Sequence, residues 1–126
     1  MLEMINPAAV PASPFYSQGV VATAPQRMLF ISGQVGVDAK GMVGKDIADQ
    51  ARQAVANLNA VLREAGMAAG NLAKLSIYLT DESYLPAFMQ AAGGALPSPP
   101  PATTVLVVKA LASPALFVEI EAVAVG

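Results

Sequence analysis

The sequence predicts an α+β fold in a single domain covering residues 1–126: one mixed β-sheet with two helices on one of its faces. Three observations predict it. Short runs of period-two hydrophobicity alternate with two stretches of helical period, in the order β-β-β-α-β-α-β-β. The longer helical stretch carries a single apolar stripe, so it has one face to bury. The last two strand runs are the longest, and the first of them is apolar on both faces.

Taken in order, residues 1–14 are punctuated by Pro7, Pro11 and Pro14 and predict an extended lead-in rather than an element. "GVVAT" (19–23) and "RMLFISG" (27–33) are β-type runs joined by "APQ", which suits a hairpin. "QVGVDAKGMVG" predicts a third short strand ending in a turn over residues 38–41, with an Asp at its start and Gly41 at its end. From 46 to 65, Ile47, Ala51, Ala54, Val55, Leu58, Val61, Leu62 and Ala65 recur at helical spacing. Asp46 is placed as the N-cap and Gly66 as the stop. "KLSIYLT" then alternates, Leu75, Ile77 and Leu79 against Lys74, Ser76, Tyr78 and Thr80, and predicts a strand with one wetter face. A shorter helix follows over 83–92, with Pro86 tolerated in its first turn. After "GGALPSPPPA", residues 103–111 and 116–125 predict two long strands.

Two helices cover one face only. Val105 and Val107 alternate with Leu106 and Val108, so the second face is apolar too, and a bare face of that size exceeds what monomers usually expose. A homo-oligomer is expected on that ground.

Composition narrows the chemistry. With neither histidine nor cysteine, the usual zinc sites, Ser-His-Asp triads and Cys-His pairs are excluded, and so are disulfides. Carboxylates, hydroxyls, lysine, backbone N–H groups and water remain. The seven cations are scattered and the net charge is −2, which argues against nucleic acid as a partner. No run approaches the roughly 20 apolar residues of a membrane span, and the N-terminus does not read as a signal peptide. Cytoplasmic localisation is expected. "GQVG" follows a strand but does not open a helix, so it is no dinucleotide fingerprint, and no cofactor or metal is expected.

Near the C-terminus, "LFVEIEAVAVG" places Glu119 and Glu121 on one side of a strand and Val118, Ile120 and Ala122 on the other. Glu119 is readable as an exposed strand residue paired with Lys109. Glu121 stands one step deeper among Ala and Val, a setting in which a carboxylate becomes useful for proton transfer, and is the predicted catalytic acid–base group.

"YSQGV", "FISGQV", "QARQAVANLNAVLREAG", "KLSIYLTD" and "PATTVLVV" followed by "LFVEIEAVAV" together resemble the Rid family, the YjgF-like reactive intermediate/imine deaminases, from about Pro14 onward. The resemblance implies a chorismate-mutase-like fold assembled as a homotrimer, with small-molecule clefts between subunits. It also implies cofactor-free hydrolysis of enamines and imines: an arginine grips the substrate carboxylate, the last glutamate positions water, and a tyrosine and a Ser-Gly strand end complete the pocket. Tyr16, Ser32, Gly33 and Glu121 match that pattern; Thr103 and Val105 complete the predicted lining. The arginine does not match, because this chain reads Pro101-Ala102-Thr103. An arginine fork makes two charge-assisted bonds of about 1.5–3 kcal/mol each, whereas a threonine offers one neutral bond. Losing that grip is expected to weaken the hold on an α-imino acid on the order of a hundredfold or more. Along its own strand the next cation is Lys109, six residues away and about 20 Å distant. The second helix also lacks an asparagine that many members carry. The expected protein is therefore an Arg-less member with a neutral-anchored substrate, or a non-catalytic metabolite-binding or protein-interaction trimer.

Overall fold

A computed structural model describes residues 2–126; Met1, the first residue of the predicted lead-in, lies outside the described residues. The order is β1 (Leu2–Ile5), β2 (Gly19–Ala22), β3 (Met28–Val35), α1 (Ile47–Glu64), β4 (Leu72–Leu79), α2 (Tyr84–Ala92), β5 (Ala102–Val107) and β6 (Val118–Val125). A four-stranded mixed sheet runs β3-β6-β4-β5, with β4 and β5 parallel and the other pairs antiparallel. β1 and β2 form a separate antiparallel ribbon. The α+β class is as predicted, and no helix is long and apolar enough to cross a membrane.

α1 forms as its pattern requires. Asp46 is the N-cap, its side-chain Oδ1 accepting from the Asp49 N–H at 2.8 Å, and Gly66 ends the helix at φ 74°. The buried stripe of Ala51, Ala54, Val55, Leu58 and Leu62 meets Leu75, Ile77 and Leu79 of β4 and Ile120 and Ala122 of β6. Phe88 and Ala92 of α2 close the same core. Both helices therefore lie against one side of the sheet.

Three strands precede α1, and two of them, β2 and β3, fall where predicted; the other is β1 in the lead-in rather than a strand after residue 33. The lead-in is not wholly extended coil: residues 2–5 pair with β2, register Leu2↔Ala22 to Ile5↔Gly19, so the main chain of β2 is satisfied locally. The expected hairpin between 19–23 and 27–33 is absent because β3 pairs with β6 instead. Gln34 and Val35 extend β3 past a bulge between Ile31 and Gln34. The rest of the third predicted strand is a loop closed by one bridge, Val37↔Val43. Its turn is as expected: Asp38 Oδ1 accepts from the N–H groups of Lys40 and Met42, both at 2.9 Å, and Gly41 takes φ 82°. β5 stops at Val107, since its partner β4 ends at Leu79, so Lys109 lies beyond the strand.

Candidate functional site

Alternation builds the site. In β6, Val118, Ile120, Ala122 and Ala124 are buried under the helices, which sends Glu119, Glu121 and Val123 to the uncovered face. In β4, Leu75, Ile77 and Leu79 are buried, and Lys74, Ser76 and Tyr78 share the face of the glutamates. The registers then fix rows across three strands: Glu121, Ser76 and Thr104 in one, and Glu119, Tyr78 and Leu106 in the next.

The Tyr78 hydroxyl donates to Glu121 Oε1 at 2.5 Å. That bond, with some desolvation and the negative charge beside it, holds the Tyr78 phenol above its ordinary pKa of 10.0, against a smaller opposing effect of a hydrogen bond from Ser76. On the β5 flank, Lys74 Nζ donates to Thr104 Oγ1 at 2.8 Å. Phe30, Ser32, Lys74, Ser76, Glu121 and Val123 line a cleft of about 330 Å3.

The bulge in β3 explains Gly33. A Cβ at this position would overlap the carboxylate of Glu119, so the glycine gives that side chain room to lie across β3. Depth is the reverse of the sequence expectation: Glu119 is half-buried and Glu121 is exposed in the single chain. Nor does Glu119 pair with Lys109; among the described residues the only ion pair is Arg52 with Asp49, at 2.7 Å.

The other predicted residues gather elsewhere. Tyr16, Thr103 and Val105 line a cleft of about 510 Å3 with Phe15, Leu85, Met89 and Thr104. Ser17 anchors this edge: it is buried, its Oγ donates to the Pro100 carbonyl at 2.6 Å, and its N–H donates to the Pro101 carbonyl at 3.1 Å. Thr103 stands beside Leu75, on the helix-covered side. Its hydroxyl donates to the Pro101 carbonyl at 3.0 Å, so it is already engaged. Within one chain, then, Ser32 and Glu121 share one cleft, Gly33 lies under Glu119, and Tyr16, Thr103 and Val105 share a second cleft.

Sequence reasoning missed Tyr78, Thr104 and above all Lys74. It looked for a replacement cation along the strand of Thr103 and found only Lys109, whereas the parallel neighbour supplies one: Lys74 pairs with Ala102 and reaches Thr104. The signal was present in the wet face of "KLSIYLT", which matches the period of the two glutamates.

Fold and site define a class: an α+β subunit with two helices behind a mixed sheet, whose uncovered face carries a carboxylate–phenol pair beside an ammonium and serine hydroxyls. The chain belongs to the Rid (YjgF-like) family. The family model described as Endoribonuclease L-PSP matches residues 7–126. Protein mmf1, mitochondrial, of Schizosaccharomyces pombe is 30% identical over 122 residues, 95% of this chain and 74% of that protein. The 2-iminobutanoate/2-iminopropanoate deaminase of Salmonella typhimurium is 37% identical over 67 residues, 52% of this chain and 50% of the deaminase, so the match spans about half of that enzyme. Among solved structures, the Rid-family protein YyfB of Yersinia pestis, described as of unknown function, superposes with a TM-score of 0.83 at 36% identity over 98% of both chains.

Proposed function

We propose that the chain is a Rid-family small-molecule protein that works as a homotrimer with clefts between subunits and hydrolyses an enamine or imine, its substrate range altered by Thr103. The observation that carries this reading is the Tyr78–Glu121 pair, set in a cleft with Ser32 on the uncovered sheet face. Relatives named as imine deaminases support the reaction class. Tautomerisation gives the C=N form. Water held by Glu121 adds to the carbon while one of its protons passes by way of the carboxylate to nitrogen, giving a carbinolamine. The hydroxyl proton then follows the same route to nitrogen as the C–N bond breaks, the C=O forms and ammonia leaves. Assembly from several subunits is supported by exposed Phe30 and Leu106 on this face, and by the split of the predicted site residues between two clefts of one chain. RNA, which the family model's name suggests, is disfavoured: Arg27 bonds the Ala65 carbonyl, Arg52 pairs with Asp49, and Lys74 turns to Thr104, so no basic track forms from these three.

The test supplies 2-iminobutanoate generated in situ and follows ammonia and keto-acid release. Thr103→Arg is expected to exceed wild type by about 100-fold or more in kcat/KM, as the two-bond fork returns. Glu121→Gln is expected to abolish turnover. Wild-type turnover equal to that of Thr103→Arg refutes the role given to Thr103.

The engaged hydroxyl of Thr103 favours a second reading, a non-catalytic metabolite-binding trimer. It predicts that a ligand binds without ammonia release.

A further inference from the structure

We infer that Lys74 is the residue that recognises an acidic group on the ligand, a role resting on the function proposed above and placed on β4 rather than at Thr103. Lys74 is half-buried in the cleft that also holds Ser32, Ser76 and Glu121. An ammonium has three N–H donors, and the one protein acceptor recorded for this one is Thr104 Oγ1, at 2.8 Å. No carboxylate of the described residues lies within ion-pair distance of it. The sheet explains why the two glutamates on the same face do not neutralise it. Ser76 stands between Thr104 on β5 and Glu121 on β6, and each strand spacing is about 4.8 Å. The Thr104 bond draws Nζ toward β5, while the Tyr78 hydroxyl engages Glu121 on its own flank.

The cleft is thereby polarised. One flank, on β4, offers the Lys74 ammonium and the Ser76 hydroxyl to an anion, and the other, on β6, offers the Glu121 carboxylate to water or to a nitrogen-bound proton. A ligand with a carboxylate at one end and a C=N or C=O group at the other matches both flanks. A lone ammonium grips as a point charge, without the planar fork of an arginine, so the hold is weaker and less directional. This fits a chain that keeps some affinity for acids after losing the arginine.

The experiment is a titration of 2-oxobutanoate, the keto acid that hydrolysis of 2-iminobutanoate releases, against 2-butanone as its uncharged counterpart, followed by NMR shifts. Wild type, Lys74→Met, Lys74→Arg and Thr103→Arg are compared, each first shown to melt cooperatively. Lys74→Met is expected to weaken 2-oxobutanoate about tenfold and leave 2-butanone unchanged, and Lys74→Arg to retain the acid. Equal affinity of wild type and Lys74→Met for the acid overturns the inference, as does a parallel loss of both ligands or no binding of the acid to wild type. If Thr103→Arg brings no gain while the Lys74→Met loss persists, the role of Thr103 fails and that of Lys74 stands.

Discussion

At the scale of single residues, the Glu121 carboxylate sets how Tyr78 titrates. A phenol that donates to a carboxylate cannot lose its proton without placing two negative charges side by side, so its pKa rises, first through that bond. The folded-state value lies above the unfolded one near 10. The stability this contributes is therefore fully present below pH 10 and is lost as pH climbs through the folded value. Asp81 behaves in the opposite sense. Hydrogen bonds from the Ser83 hydroxyl and N–H hold it below the ordinary 3.8 of an aspartate, so its contribution is present above that pH and disappears in stronger acid. Tyrosine-ring NMR across the alkaline range should find Tyr78 titrating above 10 in wild type and moving back toward 10 in Glu121→Gln. A Tyr78 shift that persists without the carboxylate breaks the pairing.

At the scale of elements, the segment leading into β6 is held by a residue of α1. Gln50 is fully buried; its Nε2 donates to the carbonyls of Gly44 and Ala115, both at 2.9 Å, and its Oε1 accepts from the Phe117 N–H at 2.8 Å. Gly36 and Gly44 pack so closely on it that a Cβ at either would collide with it. Gln50→Leu keeps much of the volume but leaves three backbone groups without their partner, those of half-buried Gly44 and Phe117 and of exposed Ala115, at up to about 1–3 kcal/mol each where water does not replace it. A loss of about 2 kcal/mol or more in denaturant unfolding is expected; a loss under 0.5 kcal/mol contradicts this role. The sequence made α1 legible, because an i, i+3, i+4 stripe, an Asp cap and a glycine stop are local properties. It did not reveal Gln50, whose partners are six to 67 residues away. Strand pairing failed for the same reason. Adjacency suggested a hairpin between 19–23 and 27–33, but β3 found its partner at the far end of the chain. Both parts of the polar face were legible from alternation, Glu119 and Glu121 in one run and Lys74, Ser76 and Tyr78 in another, but the β4–β6 register that puts them on one face was not. Lys74 was not connected to Thr103, because the parallel β4–β5 register that joins their strands crosses α2.

For the whole molecule, the uncovered face poses a solvation problem with two halves. Its centre is polar, with Lys74, Ser76, Tyr78, Glu119 and Glu121. Around it Phe30 is 72% exposed and Leu106 48% exposed, large apolar side chains that a monomer would leave in water. Covering this surface with another copy removes the apolar area and encloses the polar centre, so assembly and site formation become one event. The proposed trimer therefore depends on residues that the single subunit does not need. Phe30 is the sharpest case: its neighbour Ile31 turns into the core, whereas Phe30 itself stands clear of it. Phe30→Glu should leave the subunit fold and its far-ultraviolet circular dichroism intact. A buried aromatic anchor at an interface is typically worth 2 kcal/mol or more, and the substitution adds a carboxylate to a face already carrying two, so the trimer should dissociate. Light scattering coupled to size-exclusion chromatography is expected to give three times the subunit mass for wild type and one for Phe30→Glu, with turnover lost in the variant. A wild-type monomer that hydrolyses imines would detach catalysis from assembly, and an intact Phe30→Glu trimer would move the interface to another face.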